Sequence, residues 1–141
     1  MNVTRVAAYA LVHDAEQRIL LVRIAFGYPA SGQWTLPGGG VQFGEDPAEA
    51  VIRELTEETG LDGRVERLAF VHSGSGRRDD GGEWHAIRIV FDVIVTGGEL
   101  RDEVDESTDT AAWFTPEDAR GLPLVDLAQV ALDHVARSSA N

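Results

Sequence analysis

The sequence predicts an α/β fold in which a mixed β-sheet lies between helices, and three observations carry that expectation. Runs rich in branched apolar residues recur at Val3 to His13, Arg18 to Ile24, Arg64 to Ser73 and Trp84 to Val95, the composition of strands. Two segments, Pro47 to Thr59 and Leu122 to Arg137, instead place apolar residues every three or four positions, the period of a helix with one buried face. Strands and helices do not alternate one for one, so parallel and antiparallel neighbours are expected in one sheet.

Each element has a local cause. The first two strands flank Asp14-Ala15-Glu16-Gln17, a polar turn, and are expected to pair antiparallel. Phe26 to Gln33 has loop composition, with Gly27, Pro29, Ser31 and Gly32, and precedes a short Trp34-Thr35-Leu36 run and then Pro37-Gly38-Gly39-Gly40. Asp46 suits a helix cap, Pro47 the first helical position, and Glu49 the place from which a capping-box carboxylate reaches back. Gly60 is the stop. Gly74 to Glu83 reads as a mobile polar hairpin tip between two strands, and Gly97-Gly98 turns the chain into the acidic stretch Glu99 to Asp109. A short strand over Ala111 to Phe114, one helical turn at Pro116 to Arg120 and a terminal helix over Leu122 to Arg137 complete the order.

The chain has 141 residues, within the range of about 100 to 200 for one domain, and shows neither repeat nor linker. Residues 1 to 141 are therefore expected to form a single domain with its own core. A formal charge of −12 opposes binding of nucleic-acid polymers or anionic membranes through a basic face. An acidic protein that handles phosphate needs cations to neutralise the ligand. Cysteine is absent, which excludes disulfides, zinc-thiolate sites and thiol nucleophiles. The apolar run Val6 to Val12 lacks the flanks of a signal peptide, and no segment approaches a membrane span, so a cytoplasmic location is expected.

The Pro47 to Thr59 helix works against its own electrostatics. At about 100° per residue, Ala48, Val51, Ile52 and Leu55 form the apolar face, and Glu54, Glu57 and Glu58 share the arc beside it. Glu54 repels Glu57 at i,i+3 and Glu58 at i,i+4, each at a cost of about 0.2 to 0.5 kcal/mol. Glu57 and Glu58 also stand in the last turn, where the helix dipole disfavours anions by about 0.3 to 1 kcal/mol. A hard divalent cation reverses both effects, whereas a solvated acidic face is the ordinary fate of such a charge run.

The surrounding pattern decides between them. Gly39 is followed after five residues by Glu45, and after seven more by Arg53-Glu54-Leu55-Thr56-Glu57-Glu58-Thr59-Gly60-Leu61. This spacing resembles the complete signature of the Nudix hydrolases, and Trp34 to Gly40 and Trp113-Phe114 resemble flanking features of that superfamily. The resemblance implies an α/β/α sandwich with a central mixed sheet, in which the signature forms a loop, helix and loop around divalent cations. Carried onto this chain, it implies Glu54, Glu57 and Glu58 as carboxylate ligands, the Gly38 carbonyl as a further ligand, and Arg53 and Glu45 as orienting residues. Magnesium, or manganese in its place, is the implied cofactor. Arg53 is also i−4 to Glu57, so a plain surface pair stays open.

The implied reaction is hydrolysis of a phosphoanhydride, in which divalent cations neutralise developing charge and acidify water. Family members often recruit a carboxylate from outside the signature; Glu103, Asp105 and Glu106 lie in the corresponding region, with Glu103 the first choice for catalysis and a solvated loop the alternative. Arg23 resembles a basic phosphate contact, or else is an edge-strand charge. Phe26, Tyr28 and Trp34 are candidates for stacking on a base, against buried packing. His13, His72, His85 and His134 have no metal-ligand spacing and are read as structural or exposed. The implied partner is a small nucleotide. Secondary markers of other subgroups are missing: no proline lies between Pro47 and Pro116, and no tyrosine follows Tyr28. A nucleoside triphosphate type pyrophosphohydrolase is what remains. The alternative is a nucleotide-sensing domain without turnover, which would be expected to lose signature carboxylates that are all present here. The oligomeric state stays open, a homodimer included.

Overall fold

In a computed structural model, which describes residues 1–139, the chain folds into two sheets and three helices. The order is β1 (Val3–Val12), β2 (Ile19–Ile24), β3 (Trp34–Thr35), β4 (Gly38–Gly40), α1 (Pro47–Thr59), β5 (Leu61–Arg77), β6 (Glu83–Gly98), β7 (Thr108–Phe114), α2 (Pro116–Arg120) and α3 (Asp126–Ser139). Four strands form a mixed sheet in the order β4-β1-β6-β5, with β1 and β6 parallel and the outer pairs antiparallel. The other sheet is antiparallel, in the order β3-β2-β7.

Alternation along β1 divides the interior. Ala8, Ala10 and Val12 point to α1, where they meet Val51 and Leu55 together with Leu20 and Val93. Leu11 points the other way and packs with Val90, Trp34 and the α3 residues Leu127, Ala131 and Leu132. Helices thus cover both faces of the mixed sheet, as expected. Leu55 is fully buried, and Leu55→Ala would cost about 2 to 5 kcal/mol for lost transfer energy and the cavity left behind.

Helix α1 begins and ends on its predicted signals. The Asp46 carboxylate accepts from the Ala48 N–H at 2.8 Å, and Pro47 occupies the first turn. Gly60 takes φ 79°, donating to the Thr56 carbonyl, and a side chain there would strike the Glu99 carbonyl. The buried Thr59 hydroxyl donates to the Leu55 carbonyl at 2.7 Å and accepts from the Leu61 N–H at 3.2 Å, steering the chain into β5.

Four expectations change. β1 and β2 do not pair along their length: β1 is flanked by β4 and β6, and β2 by β3 and β7, leaving the single His13–Ile19 bridge at their turn. Gly38–Gly40, where the resemblance implies the loop that opens the signature, is a strand against Ala7 to Tyr9. The tip read as Gly74 to Glu83 is half strand, because β5 and β6 pair through Arg77↔Glu83 and only the segment from Arg78 to Gly82 turns. Finally, α3 starts at Asp126, while Leu122 and Leu124 pack against the core ahead of it.

Candidate active site

The open end of the mixed sheet forms a cleft of about 820 Å³, bounded by β4, the signature helix and the start of α3. Its acidic side is built by α1 and β4. Glu54 rests against Gly39, where a Cβ would sit 2.9 Å from the carboxylate carbon. Gly38 has φ 154°, and a side chain there would overlap the Ala8 carbonyl and Tyr9, so only glycine fits between β1 and the helix. Its N–H donates to Glu58 Oε1 at 2.6 Å.

Glu58 is 5% exposed. Burial pushes its carboxyl well above the usual range, the Gly38 N–H opposes that, and Glu54, Glu103 and Glu57 add repulsion. Glu54 is raised chiefly by burial, against the neighbouring Arg53. No Arg or His among the described residues forms an ion pair with Glu58.

Arg53 organises the rest of the signature. Its Nε donates to Glu45 Oε2 at 2.8 Å and its Nη2 to Glu45 Oε1 at 3.0 Å, a bidentate pair, and Nη1 reaches Glu54 at 3.1 Å and Glu57 at 3.3 Å. The guanidinium holds the Glu45 carboxyl down to about 2. Its shortest contacts are therefore to Glu45, so the surface pair with Glu57 is the lesser part of its role.

The donors that the signature implies, carboxylate oxygens and a backbone carbonyl, are hard ligands of the kind that suit magnesium or manganese. A buried carboxylate repelled by three others fits a bound cation better than it fits an isolated protein. Among the described residues, however, no three acidic or histidine side chains converge at ligating distance, because Arg53 holds Glu54 and Glu57. Glu57 is itself half exposed.

Outside the signature, Glu103 accepts from the Thr108 hydroxyl at 2.7 Å, and its charge is felt at both Glu54 and Glu58. Asp105 and Glu106 are exposed, Asp105 with φ 60°. Arg23 donates to Asp109 at 2.8 Å and lies 5.8 Å above the Trp34 ring. It does not line the cleft. Of the aromatic candidates, Tyr28 lines it, Phe26 is exposed, and Trp34 is a core residue packed edge-on against Phe114 at 5.0 Å.

Sequence reasoning missed Arg5, Tyr9, Trp84 and Arg88, which line the same cleft as Glu54 and Glu58. Tyr9 stays protonated to higher pH than usual, burial outweighing Arg5 and Arg88. Arg88 Nη1 lies 3.2 Å from His72 Nδ1, and since a guanidinium only donates, this contact calls for a neutral imidazole that accepts at Nδ1. Burial and then Arg88 lower the His72 pKa accordingly. Arginine in the middle of an apolar strand, as in Ile87-Arg88-Ile89, was the available signal. Another cavity, of about 500 Å³ beside His13 and His134, contains none of the signature residues.

The description "NUDIX domain" matches residues 3–135. The chain is 37% identical over 121 residues to an ADP-ribose pyrophosphatase of Methanocaldococcus jannaschii, covering 86% of this chain and 63% of that protein. It is 29% identical over 118 residues to diphosphoinositol polyphosphate phosphohydrolase 2 of Homo sapiens, covering 82% of this chain and 59% of that one. The chain thus spans about three fifths of the length of these relatives. Among solved structures, the MutT protein from Methanosarcina mazei superimposes with a TM-score of 0.79 at 25% identity, over 99% of this chain and 98% of that one. No helix among the described residues is long and apolar enough to cross a membrane.

Proposed function

The chain belongs to the NUDIX family, and on that footing we propose that it hydrolyses the phosphoanhydride bond of a nucleoside diphosphate-linked substrate with divalent cations. One observation carries the reading: a buried, unneutralised Glu58 faces Glu54 and Glu103 at a cleft wide enough for a nucleotide. In this reading Glu54, Glu57, Glu58 and the Gly38 carbonyl hold the cation. When bound, it supplies charge neutralisation and acidified water. Glu45 and Arg53 keep the helix and the preceding loop in register, as their bidentate pair supports. Glu103, fixed by Thr108, takes the proton or adds a ligand. Arg23, paired with Asp109 beside the cleft-lining Ile24 and Thr108, leaves that pair and turns into the cleft to meet a phosphate oxygen. Residues 1 to 141 act as one domain.

The finer reading is a nucleoside triphosphate substrate, which rests on the missing sequence markers. A second, a nucleoside diphosphate sugar, is favoured by the name of the relative from Methanocaldococcus jannaschii. A magnesium-supplemented screen of nucleoside triphosphates and nucleotide sugars, with product identification, separates them. Nucleoside monophosphate plus pyrophosphate is expected from the first, and nucleoside monophosphate plus sugar phosphate from the second. No cleavage of either class would overturn the proposal.

A further inference from the structure

The wall that β1, β6 and β5 give the cleft is laid out by strand register. Across β1, β6 and β5 the rows read Tyr9–Val90–Phe70, Ala7–Arg88–His72, Arg5–Ala86–Gly74 and Val3–Trp84–Gly76, all on one face of the sheet. The first row lies in the core beneath α3. The following rows leave that cover, and Arg88, Arg5 and Trp84 line the cleft.

Long side chains there lie down over glycines. An ideal Cβ on Gly76 would be 2.6 to 2.7 Å from three atoms of the Trp84 indole, so the ring covers that glycine. On Gly74 a Cβ would be 2.5 Å from Arg88 Nη1. Any side chain at either glycine displaces its neighbour. Trp84 nevertheless stays 37% exposed, so the ring has backbone on one side and the cleft beside it.

We propose that this surface reads an aromatic base: the base stacks on the Trp84 indole, Arg88 holds the adjoining ribose or phosphate, and Gly76 and Gly74 are positioning residues that set the height of both. This rests on the nucleotide reading above and assigns the part of the site that selects the substrate. An indole offers a base a π-face and an anion no positive charge, while Arg88, fixed by His72, offers charged N–H donors. The surface is ill suited to a densely phosphorylated inositol, which has no aromatic ring. Arg5 and Arg88 are the cations among the cleft-lining residues, and Glu54, Glu58 and Asp126 stand against them.

The test uses the whole chain, ADP as the base-bearing probe and inorganic pyrophosphate as the base-free one. ADP is expected to quench tryptophan emission and pyrophosphate is not. Trp84→Leu should abolish the quench and raise KM for a nucleotide substrate about ten- to a hundredfold, the loss falling mainly on KM rather than kcat. Trp84→Phe should restore most of the affinity. Gly76→Ala keeps the indole but moves it, and should weaken ADP in the same direction; it decides the matter if Trp84→Leu does not fold. ADP binding of wild-type strength in Trp84→Leu or Gly76→Ala overturns the proposal, as does equal affinity of the wild type for ADP and pyrophosphate. Those results leave phosphoanhydride cleavage intact, whereas failure of the substrate screen ends the nucleotide reading itself.

Discussion

The Glu58 carboxylate accepts the Gly38 backbone N–H at 2.6 Å, tying the last turn of α1 to the edge strand β4 in a buried position. A glutamine keeps that acceptor and removes the charge. Because burial raises the folded-state carboxyl above its ordinary value, Glu58 contributes full stability below the unfolded value of 4.5, and that contribution is lost as pH rises through the raised folded value. Metal-free Glu58→Gln should therefore melt higher than wild type at pH 7.5 by a few degrees, and the gap should close on acidification toward pH 5. Magnesium should stabilise wild type more than the variant, with the logarithmic concentration dependence of ligand linkage. Thermal melts across pH, with and without magnesium, check this; a lower-melting variant with an equal magnesium response contradicts it.

Glu45 behaves oppositely. Arg53 holds its carboxyl down to about 2, so the pair's contribution is present above the ordinary value of 4.5 and lost only as pH falls through about 2. Carbon-detected NMR titration should find the Glu45 midpoint near 2 in wild type and back in the ordinary range in Arg53→Met. An unchanged midpoint in Arg53→Met would remove Arg53 as the cause.

Arg23 and Asp109 form a half-exposed ion pair at 2.8 Å, a geometry worth about 0 to 1 kcal/mol in stability. If the guanidinium serves phosphate, Arg23→Ala lowers kcat/KM by about 1.5 to 3 kcal/mol in transition-state binding, while Asp109→Asn does not lower it. Equal kcat/KM for Arg23→Ala and wild type would return Arg23 to a strand-edge role.

Glu103 is held by the Thr108 hydroxyl at 2.7 Å. Glu103→Gln is expected to cut kcat by about 10²-fold or more, with Thr108→Val causing a smaller loss of the same kind. A full-activity Glu103→Gln would shift attention to Asp105 and Glu106.

What the sequence made legible was local. The α1 boundaries follow from Asp46, Pro47 and Gly60, each of which acts within one helical turn. The signature residues lie on that helix and its entry, so their placement side by side is encoded in short spacings. Pairing between distant strands is not, and adjacent β1 and β2 went to different sheets because each found its partners far along the chain. Gly74-Ser75-Gly76 has loop composition yet is strand, since the space above its two glycines is filled by Arg88 and Trp84 from β6. The wall of Arg5, Tyr9, Trp84 and Arg88 exists only once β1 and β6 are in register. The short-range hint of it is Arg88 amid the apolar run Ile87-Arg88-Ile89.

The central claim is that the acidic cleft cleaves a phosphoanhydride with a divalent cation, and hydrolysis in ¹⁸O-labelled water tests it most directly. Wild type with magnesium should place the label on a phosphate from within a diphosphate, excess chelator should stop turnover, and Glu57→Gln should lose about 10²-fold or more. Full turnover in excess chelator, or rapid release of labelled inorganic phosphate from a nucleoside monophosphate, would contradict it.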